Sequence, residues 1–365
     1  ALVPQIGCPM SMGLSDRLAD HVAAARWEAL PASTIRAAKH VLLDACGVML
    51  GASGIVGEVA PFLTLARSGG EGPCTIVGTG QKASPVMAAL ANGALAHALD
   101  FEDAFDRAPG HPNASLVPAL IALAQARGPV DGQRFLTALA VGGDFSCRMG
   151  LALRRPMEDG NWYPPPILAA YGATAGAASL LGLSSAQVCD ALSITLCQVT
   201  MPGEIKYSAG TVLRAVREAF PAQAAVQSAL LAHEGLAGFE EPLEGKAGFY
   251  ALYAGGAFSA DDLTEELGRR FWIDELTFKP WPSCRGTHPF IELALNLRAE
   301  SGLDPTQIVA IEAGHDAVQS MLVEPTGRKA APQVAIDAKF SIPFTIALAL
   351  ARGRVGLDDF DAASL

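Results

Sequence analysis

Helical spacing of apolar residues runs through the first two thirds of the chain and restricts the fold more than any other feature. Apolar side chains recur every three or four residues, and turns rich in glycine and proline separate the periodic segments. Almost nothing before residue 255 alternates with the two-residue period of a strand. In the second helix, Pro31 and Ser33 are start signals and Gly51 is a stop signal. Helices are predicted near residues 14–28, 31–53, 57–68, 84–99, 115–127, 131–150, 164–182, 184–198 and 211–235.

The pattern changes near residue 266. The stretch "ELTFKPWPSCRGTH" holds β-branched and aromatic residues, "FIELALNLRAESGLD" predicts an amphipathic helix ended by Gly302, and "QIVAIEAGH" alternates like a strand. The segment "AKFSIPFTIALALARGRVGLDDF" predicts a last helix. Because 365 residues exceed one ordinary core, two domains are expected. We predict a mainly α protein with an all-helical domain over residues 1–265 and a smaller α+β domain over residues 266–365.

Composition and charge exclude several classes of partner. The formal net charge of −11 argues against nucleic acid and anionic membranes, which require a basic face. Seven scattered cysteines without a CxxC pair indicate reduced thiols and a cytoplasmic protein, not a disulfide frame or zinc site. The N-terminal residues lack the features of a signal peptide. Residues 167–188 carry no charge but are rich in small residues, which predicts a buried helix pair and no membrane span.

The densest group of ionisable side chains is "HALDFEDAFDRAPGHPNAS", which begins at His97. In a helix, His97, Asp100 and Asp103 share one face, and the proline- and glycine-rich residues 109–112 predict a loop that presents His111. This pattern fits a helix end that carries acid/base groups into a cleft. It also fits a solvated helix end. A divalent metal site is a third possibility, although no HExxH motif supports it.

A second group lies in "FKPWPSCRGTHPF", where prolines constrain a loop that leads into a helix. Lys279, Cys284, Arg285 and His288 lie within ten residues there and could arrange a cation, a thiol and an imidazole around an anion. Covalent catalysis by a Cys–His pair is not favoured, because the sequence supplies no partner to orient the imidazole.

A third group, in "MPGEIKYSAGTVLRAVREAF", adds Lys206, Arg214 and Arg217 to an acidic protein. Arg214 and Arg217 fall on one helix face and could hold substrate carboxylates, or the cations could pair with Glu204 and Glu218. No glycine-rich nucleotide motif and no GxSxG motif is present, so no nucleotide cofactor is indicated.

The three groups, in this order, resemble the MmgE/PrpD family. The resemblance rests on "NGALAHALDFEDAF…GHPNASLVPALIALAQ", "HEGLAGFEEPLEGKAGFY", "FKPWPSCRGTH" and "AKFSIPFTIALAL", and it covers roughly residues 14–360. It implies a metal-independent lyase or isomerase, since the family includes 2-methylcitrate dehydratase, cis-aconitate decarboxylase and iminodisuccinate epimerase. It also implies a large helical domain with an α+β lid, an active site between them, and a homodimer.

The resemblance places family site residues on positions of this chain. Asp100 takes the place of the active-site aspartate, and His111 takes that of the loop histidine. Lys279 matches the lysine of the lid loop, Cys284 matches a catalytic position that is His or Cys, and His288 matches the final histidine.

This chain departs from the family pattern at several positions. Ala104 stands at a family threonine, and Tyr163, in "NWYPPP", stands where many members have histidine. A family lysine matches Lys206 by the local wording. Counting back from "AAVQSALLAHEG" instead places Arg214 there, with Arg217 at a neighbouring histidine.

The implied chemistry is proton abstraction next to a carboxylate of a small di- or tricarboxylate, without a cofactor, as in a 2-methylcitrate dehydratase or an epimerase. Such chemistry needs a base, an acid, and cations that stabilise the enediolate. We expect His111 to act as base or acid, Asp100 to orient it, and Cys284 or His288 to act from the opposite side. The side chains expected to bind the substrate are Tyr163, Lys206, Arg214, Arg217 and Lys279.

Two alternatives stay open at this point. A metal-dependent hydrolase would use a different set of side chains, namely His97, Asp100, Asp103 and His111. A catalytically inactive helical homologue that binds carboxylates or serves as a scaffold is suggested by Ala104 and Tyr163. It is also suggested by the lid, which we expect to be C-terminally incomplete because family chains continue well past the "FSIPF" helix.

Overall fold

The computed structural model describes residues 12–208, 210–302, 304–361 and 364, and this part of the chain is mainly α-helical, as predicted. The larger part of the fold contains helices α1 (Leu14–Ala24), α2 (Ala32–Ile55), α3 (Ala60–Ser68), α4 (Pro85–Ala98), α5 (Asn113–Arg127), α6 (Gly132–Leu151), α7 (Pro164–Leu181), α8 (Ser185–Leu196), α9 (Ala219–His233), α10 (Phe249–Ala254) and α11 (Ala260–Thr264). The smaller part contains α12 (His288–Ser301), α13 (Thr326–Ala330), α14 (Ala335–Lys339) and α15 (Ile342–Arg352).

Three of the predicted helix limits are wrong. Helix α1 ends at Ala24 and not at residue 28. Helix α2 continues through Gly51 to Ile55. A Cβ atom at Gly51 would lie 3.3 Å from Leu99 Cδ1, so this glycine allows close packing against the end of α4 and does not stop the helix. Helix α9 begins at Ala219, later than predicted, because residues 213–215 form a 3₁₀ turn.

Helix α7 covers most of the uncharged stretch and is almost entirely buried, which confirms the prediction of buried packing through small residues. It crosses α6 so closely that a Cβ atom at Gly172 would lie 2.6 Å from the carbonyl oxygen of Gly142. Among the described residues no single helix is both long and apolar enough to cross a membrane. By length and composition alone, the bent pair Ala32–Ile55 and Gly57–Ser68 meets that test.

A short antiparallel hairpin interrupts the helices. It consists of β1 (Cys74–Ile76) and β2 (Gln81–Ala83), with Cys74 opposite Ala83. The hairpin is fixed by Asn92 of α4, whose side-chain oxygen accepts from the Val77 N–H at 2.9 Å. The prediction of an all-helical domain is wrong here, because three-residue strands are too short to show alternation in the sequence.

The smaller part is helical wherever regular structure is named. Helix α12 ends at Gly302, which adopts φ +60° as predicted for a helix-ending glycine. The predicted strand in "QIVAIEAGH" is not formed, and Val309 there is 98% exposed. A strand requires a paired neighbour, and none lies beside this segment in the described chain. An α+β lid is therefore not confirmed.

Two hydrophobic cores meet at the candidate site. The larger extends from Leu18 to Ile273, and the smaller is built from residues after 290 together with Ala215. Within the larger part, the buried Arg148 side chain donates to the carbonyl groups of Leu263, Glu265 and Arg270, as well as to the Asp144 carboxylate at 2.6 Å. These bonds hold residues 263–270, which lead toward the smaller part, against α6. The domain limit at residue 265 stays a prediction.

Candidate active site

The first ionisable group lies where α4 ends. The helix stops at Ala98, and Asp100 then adopts φ +50°, a conformation that non-glycine residues rarely occupy. The Asp100 N–H donates to the His97 carbonyl at 2.7 Å and closes the turn. The prediction that His97, Asp100 and Asp103 share one helix face is therefore wrong, because the chain leaves the helix before Asp100.

This group is buried, so the interpretation as a solvated helix end is also wrong. His97, Asp100 and Glu102 are fully buried. Glu102, which sequence reasoning did not select, lies at the centre of the group: its Oε1 is 2.7 Å from His97 Nδ1 and 3.2 Å from His111 Nδ1. It was missed because a helical projection places it off the face of His97. Its presence in the same charged run was the one available signal.

Lys279 joins the second group to the first. An isolated bridge between Ala104 and Thr277 brings the lid loop beside the Asp100 turn. The buried Lys279 Nζ then lies 3.0 Å from Asp100 Oδ1, 3.0 Å from the Asp100 carbonyl oxygen and 3.4 Å from Glu102 Oε1. Its ammonium group therefore contacts protein oxygens, whereas the sequence predicts that it binds a substrate.

The positive groups around Asp100 and Glu102 together outweigh burial. Burial is the largest single influence and would raise the pKa of both carboxyl groups, but the Lys279 ammonium and the Arg217 guanidinium, with other neighbours, hold both pKa values below their usual range. The same two carboxylates raise the pKa of Lys279 against the effect of its own burial. Both carboxylates are thus ionised and paired with one cation, which fixes the strained turn at Asp100.

His111 presents a free ring nitrogen. Its Nδ1 lies 2.8 Å from the Asp103 carbonyl oxygen, which can only accept, so Nδ1 carries the proton and Nε2 does not. Burial lowers the pKa of His111 to about 3, despite the nearby Glu102 carboxylate. The imidazole is therefore neutral at physiological pH, and its Nε2 can accept a proton or a hydrogen bond. The side chain is 16% exposed, whereas His97 is completely enclosed.

Cys284 and His288 are both uncharged, and burial accounts for this in each case. Burial raises the pKa of the Cys284 thiol, although Arg214 and the Gly286 N–H act in the opposite direction, so the group is a thiol and not a thiolate. His288 Nε2 lies 3.2 Å from the Ser283 carbonyl, and burial lowers the pKa of this imidazole to about 4. Because its ring is bonded within its own loop, His288 supports the loop that carries Cys284.

The third group surrounds the ring of Tyr163. Lys206 Nζ lies 5.3 Å from the ring centre, and the guanidinium carbons of Arg214 and Arg217 lie 5.5 and 5.1 Å from it. The structure thus brings the three cations together, although Arg214 and Arg217 do not share an α-helix. All three cations lie near the ring of Tyr163, which precedes α7.

The ion pairs predicted as an alternative are formed only in part. Arg217 Nε lies 3.2 Å from Glu218 Oε1, whereas Lys206 pairs with Glu158 at 3.8 Å and not with Glu204. Arg214 has no carboxylate partner among the described ion pairs. It stacks on the Phe340 ring of the lid, 3.5 Å from the ring centre.

Both arginines of this third group have an N–H group without an acceptor in the described part of the chain, namely Arg214 Nε and Arg217 Nη2. Arg214 is 5% exposed and Arg217 is fully buried. Buried donors nearly always have a partner, so these two N–H groups are suited to an anion. The positive charge of Arg214 acts on the Cys284 thiol, and that of Arg217 acts on the His111 imidazole, in each case toward a lower pKa.

A lid lysine that sequence reasoning missed holds the same helix end. Lys339 Nζ donates to the carbonyl groups of Leu99 at 2.8 Å and Ala98 at 3.3 Å, where the α4 carbonyls lack helical partners. Burial lowers the pKa of Lys339 to about 8. Its side chain also lines a cavity of about 380 Å³ between the two cores. The signal in the sequence was the position of this lysine in the otherwise apolar segment "AKFSIPFTIALAL".

A metal-binding set is present only in part. Suitable ligand atoms of His97, Asp100 and Glu102 lie within 4.8 Å of one another. The Lys279 ammonium already contacts both carboxylates, so it provides the positive charge that a metal ion would bring. Asp103 and His111 do not belong to this set, and Asp103 bonds to Asn113 at 3.0 Å. Because Lys279 occupies the carboxylates, the set predicted for a metal-dependent hydrolase is not favoured.

Comparison with known proteins identifies the family. Residues 16–260 match the model of the MmgE/PrpD N-terminal domain, and residues 281–365 match that of the MmgE/PrpD C-terminal domain. The cis-aconitate decarboxylase-like protein oryM of Aspergillus oryzae is 28% identical, over 92% of this chain and 73% of that protein. Human cis-aconitate decarboxylase is 31% identical over 62% of this chain and 48% of its own length.

The cis-aconitate decarboxylase of Aspergillus terreus is 28% identical, over 74% of this chain and 57% of that protein. The chain thus spans about half the length of the human and A. terreus relatives. The two family models together cover most of the chain, in the order that the sequence motifs indicated. The chain belongs to the MmgE/PrpD family.

Proposed function

We propose that this protein is a lyase that acts on a small di- or tricarboxylate by proton transfer at carbon, without a metal or nucleotide cofactor. Decarboxylation of cis-aconitate is the first reaction to test, because the relatives above carry that name. The observation that carries the proposal is the pair of buried guanidinium groups, Arg214 and Arg217, each of which has an N–H group without an acceptor in the described structure. Their charges act on the Cys284 thiol and on the His111 imidazole, respectively.

The charge distribution favours an anionic substrate. Lys279 is balanced by Asp100 and Glu102, but Arg214 has no carboxylate partner in the described structure. A buried cation without a counter-ion is costly, and a substrate carboxylate would remove that cost. Arginine is also the side chain best suited to hold a carboxylate through two parallel hydrogen bonds.

The cations and the thiol of the site support decarboxylation. When the bond to the departing carboxylate breaks, its electron pair passes through the neighbouring double bond and forms an enediolate at another carboxylate. One carbon dioxide leaves and one proton is added to carbon. Cations stabilise the enediolate, and an acid must deliver the proton. We assign the acid to Cys284, whose thiol is protonated and whose thiolate would lie beside Lys279 and Arg214.

Dehydration or epimerisation is the second candidate, and His111 is the observation that favours it. These reactions begin with removal of a proton next to a carboxylate, whereas decarboxylation needs only a donor. His111 Nε2 is unprotonated and uncommitted to the backbone, so it has the form of a base. Asp100 would act through its contact with Lys279 to fix the turn that ends beside His111.

The experiment is a turnover assay of the chelator-treated protein with cis-aconitate, citrate, 2-methylcitrate, malate and iminodisuccinate, with products identified by NMR. Arg214→Gln should raise KM by about 10- to 100-fold, since a charge-assisted hydrogen bond contributes about 1.5–3 kcal/mol. Arg155→Gln is the control, because Arg155 forms an exposed pair with Asp159. Binding of the panel without turnover would identify an inactive homologue, and equal KM values for both variants would contradict the assigned carboxylate site.

A further inference from the structure

Asp103 differs from the other carboxylates of the site. It is 1% exposed and has no cation within ion-pair distance in the described structure, whereas Asp100 and Glu102 share Lys279. A buried, unpaired carboxylate is among the costliest groups that a protein can enclose. Such a group keeps its proton instead.

Three polar atoms of Asp103 have a partner. Its Oδ2 accepts from Asn113 Nδ2 of α5 at 3.0 Å, its N–H faces the Asp44 carboxylate of α2, and its carbonyl accepts from His111 Nδ1 at 2.8 Å. The residue therefore ties the loop to two helices and fixes the imidazole at the same time.

The neighbouring groups agree with a neutral Asp103. Burial raises its pKa to about 8, and Asp44 and Glu102 add to that effect against Asn113 and Lys279. Asp44 itself has a pKa raised to about 6, by burial and by Glu102. If Asp103 carries a proton, its O–H can donate to Asn113. The Asn113 Oδ1 atom is buried without a partner in the described structure, and rotation of the amide by 180° would turn this oxygen toward Asp103.

We propose that Asp103 is a positioning residue for His111: as an uncharged carboxylic acid anchored by Asn113 and Asp44, it holds the carbonyl that keeps the proton on Nδ1 and leaves Nε2 free. Loss of the Asp103 proton would place a third negative charge beside Asp44 and Glu102 and would loosen this arrangement. The groups that face Asp103 are Asp44 from α2, Glu102 and His111 from its own loop, Asn113 from α5, Cys147 from α6 and Lys279 from the lid. The catalytic importance of Asp103, though not its protonation, rests on the proposed function.

The first test measures the free energy of unfolding against pH for wild type, Asp103→Asn and Asp106→Asn. A carboxyl group whose pKa is raised from the ordinary 3.8 to about 8 retains a proton that the unfolded chain releases. Its contribution is complete below about pH 4 and is lost as pH rises toward 8. Wild type should therefore lose stability relative to Asp103→Asn over that window, while the exposed control Asp106→Asn parallels wild type. If the curve for Asp103→Asn runs parallel to that of wild type, the proposal that Asp103 is uncharged is overturned.

The second test reads the His111 tautomer by nitrogen NMR, and like the first it needs no substrate. Wild type and Asp103→Asn should show the Nδ1–H form, whereas Asp103→Ala, which loses the Asn113 contact, should show a mixture. An unchanged tautomer in folded Asp103→Ala would overturn the positioning role. If a substrate is found, the alkaline limit of kcat should move to higher pH in Asp103→Asn but not in Lys339→Arg, since Lys339 also has a pKa near 8.

Discussion

Replacement of Lys279 by Met should show how strongly the buried ion cluster stabilises the fold. The change removes an ammonium group that lies 3.0 Å from Asp100 Oδ1 and 3.4 Å from Glu102 Oε1, and it leaves both carboxylates buried. Removal of one partner from a buried ion pair costs about 3–5 kcal/mol. With a urea m-value of about 3 kcal/mol/M, the unfolding midpoint should fall by about 1 M or more.

The loss of stability in Lys279→Met should also depend on pH. In wild type, Lys279 holds the pKa of Asp100 and Glu102 below their usual range, so their contribution is present at neutral pH and is lost as pH falls through those values. In Lys279→Met, burial is left to raise both pKa values, so the variant gains relative stability as pH falls. Urea unfolding followed by circular dichroism should show a difference that is largest near pH 7 and shrinks toward about pH 4.

The matched control is Arg285→Met. Arg285 lies in the same loop as Lys279 and contacts Asp106 at 3.0 Å. Both side chains are about 40% exposed, so the change should lower the free energy of unfolding by about 0–1 kcal/mol. A Lys279→Met variant no less stable than this control, or a difference that does not change with pH, would refute the reasoning.

Other substitutions test packing, capping and the site. Gly172→Ala should destabilise the fold by about 1–3 kcal/mol in thermal unfolding, because its Cβ would lie 2.5 Å from Ser146 Cβ. Gly47→Ala, on the exposed side of α2, should instead stabilise the fold by about 0.5–1 kcal/mol in the same assay. Asp131→Ala removes the side-chain cap of α6 and should lower the free energy of unfolding by about 1 kcal/mol in urea. Glu102→Gln should lower kcat by about 100-fold with little change in KM, as measured in the turnover assay, because Glu102 orients His97 and His111.

The helical part of the fold was predictable because its helices are long and their apolar residues are periodic. Helices α4 to α8 all lie within a few residues of their predicted limits. The β1–β2 hairpin was not predictable, since each strand has three residues. The predicted strand at "QIVAIEAGH" shows the opposite error: alternation is local, but a strand forms only where another strand pairs with it.

The site was predictable as three groups of residues but not as a geometry. Long-range contacts assemble it, above all the bridge between Ala104 and Thr277, which places Lys279 beside Asp100. Glu102 was missed because the left-handed turn at Asp100 redirects the chain, and no spacing rule reports that turn. The roles given to the catalytic and substrate-binding residues stay predictions until turnover is measured.

The most direct measurement is proton NMR in deuterated water of the chelator-treated protein with the same carboxylate panel, for wild type, His111→Ala and Cys284→Ala. The account predicts deuterium next to a carboxylate in wild type, in the product if the reaction is decarboxylation and in the recovered substrate or the product if it begins with proton abstraction. It should be lost in Cys284→Ala if the reaction is decarboxylation and in His111→Ala if it begins with proton abstraction. Absence of deuterium with every panel member, or its retention in both variants, would contradict proton transfer by these residues.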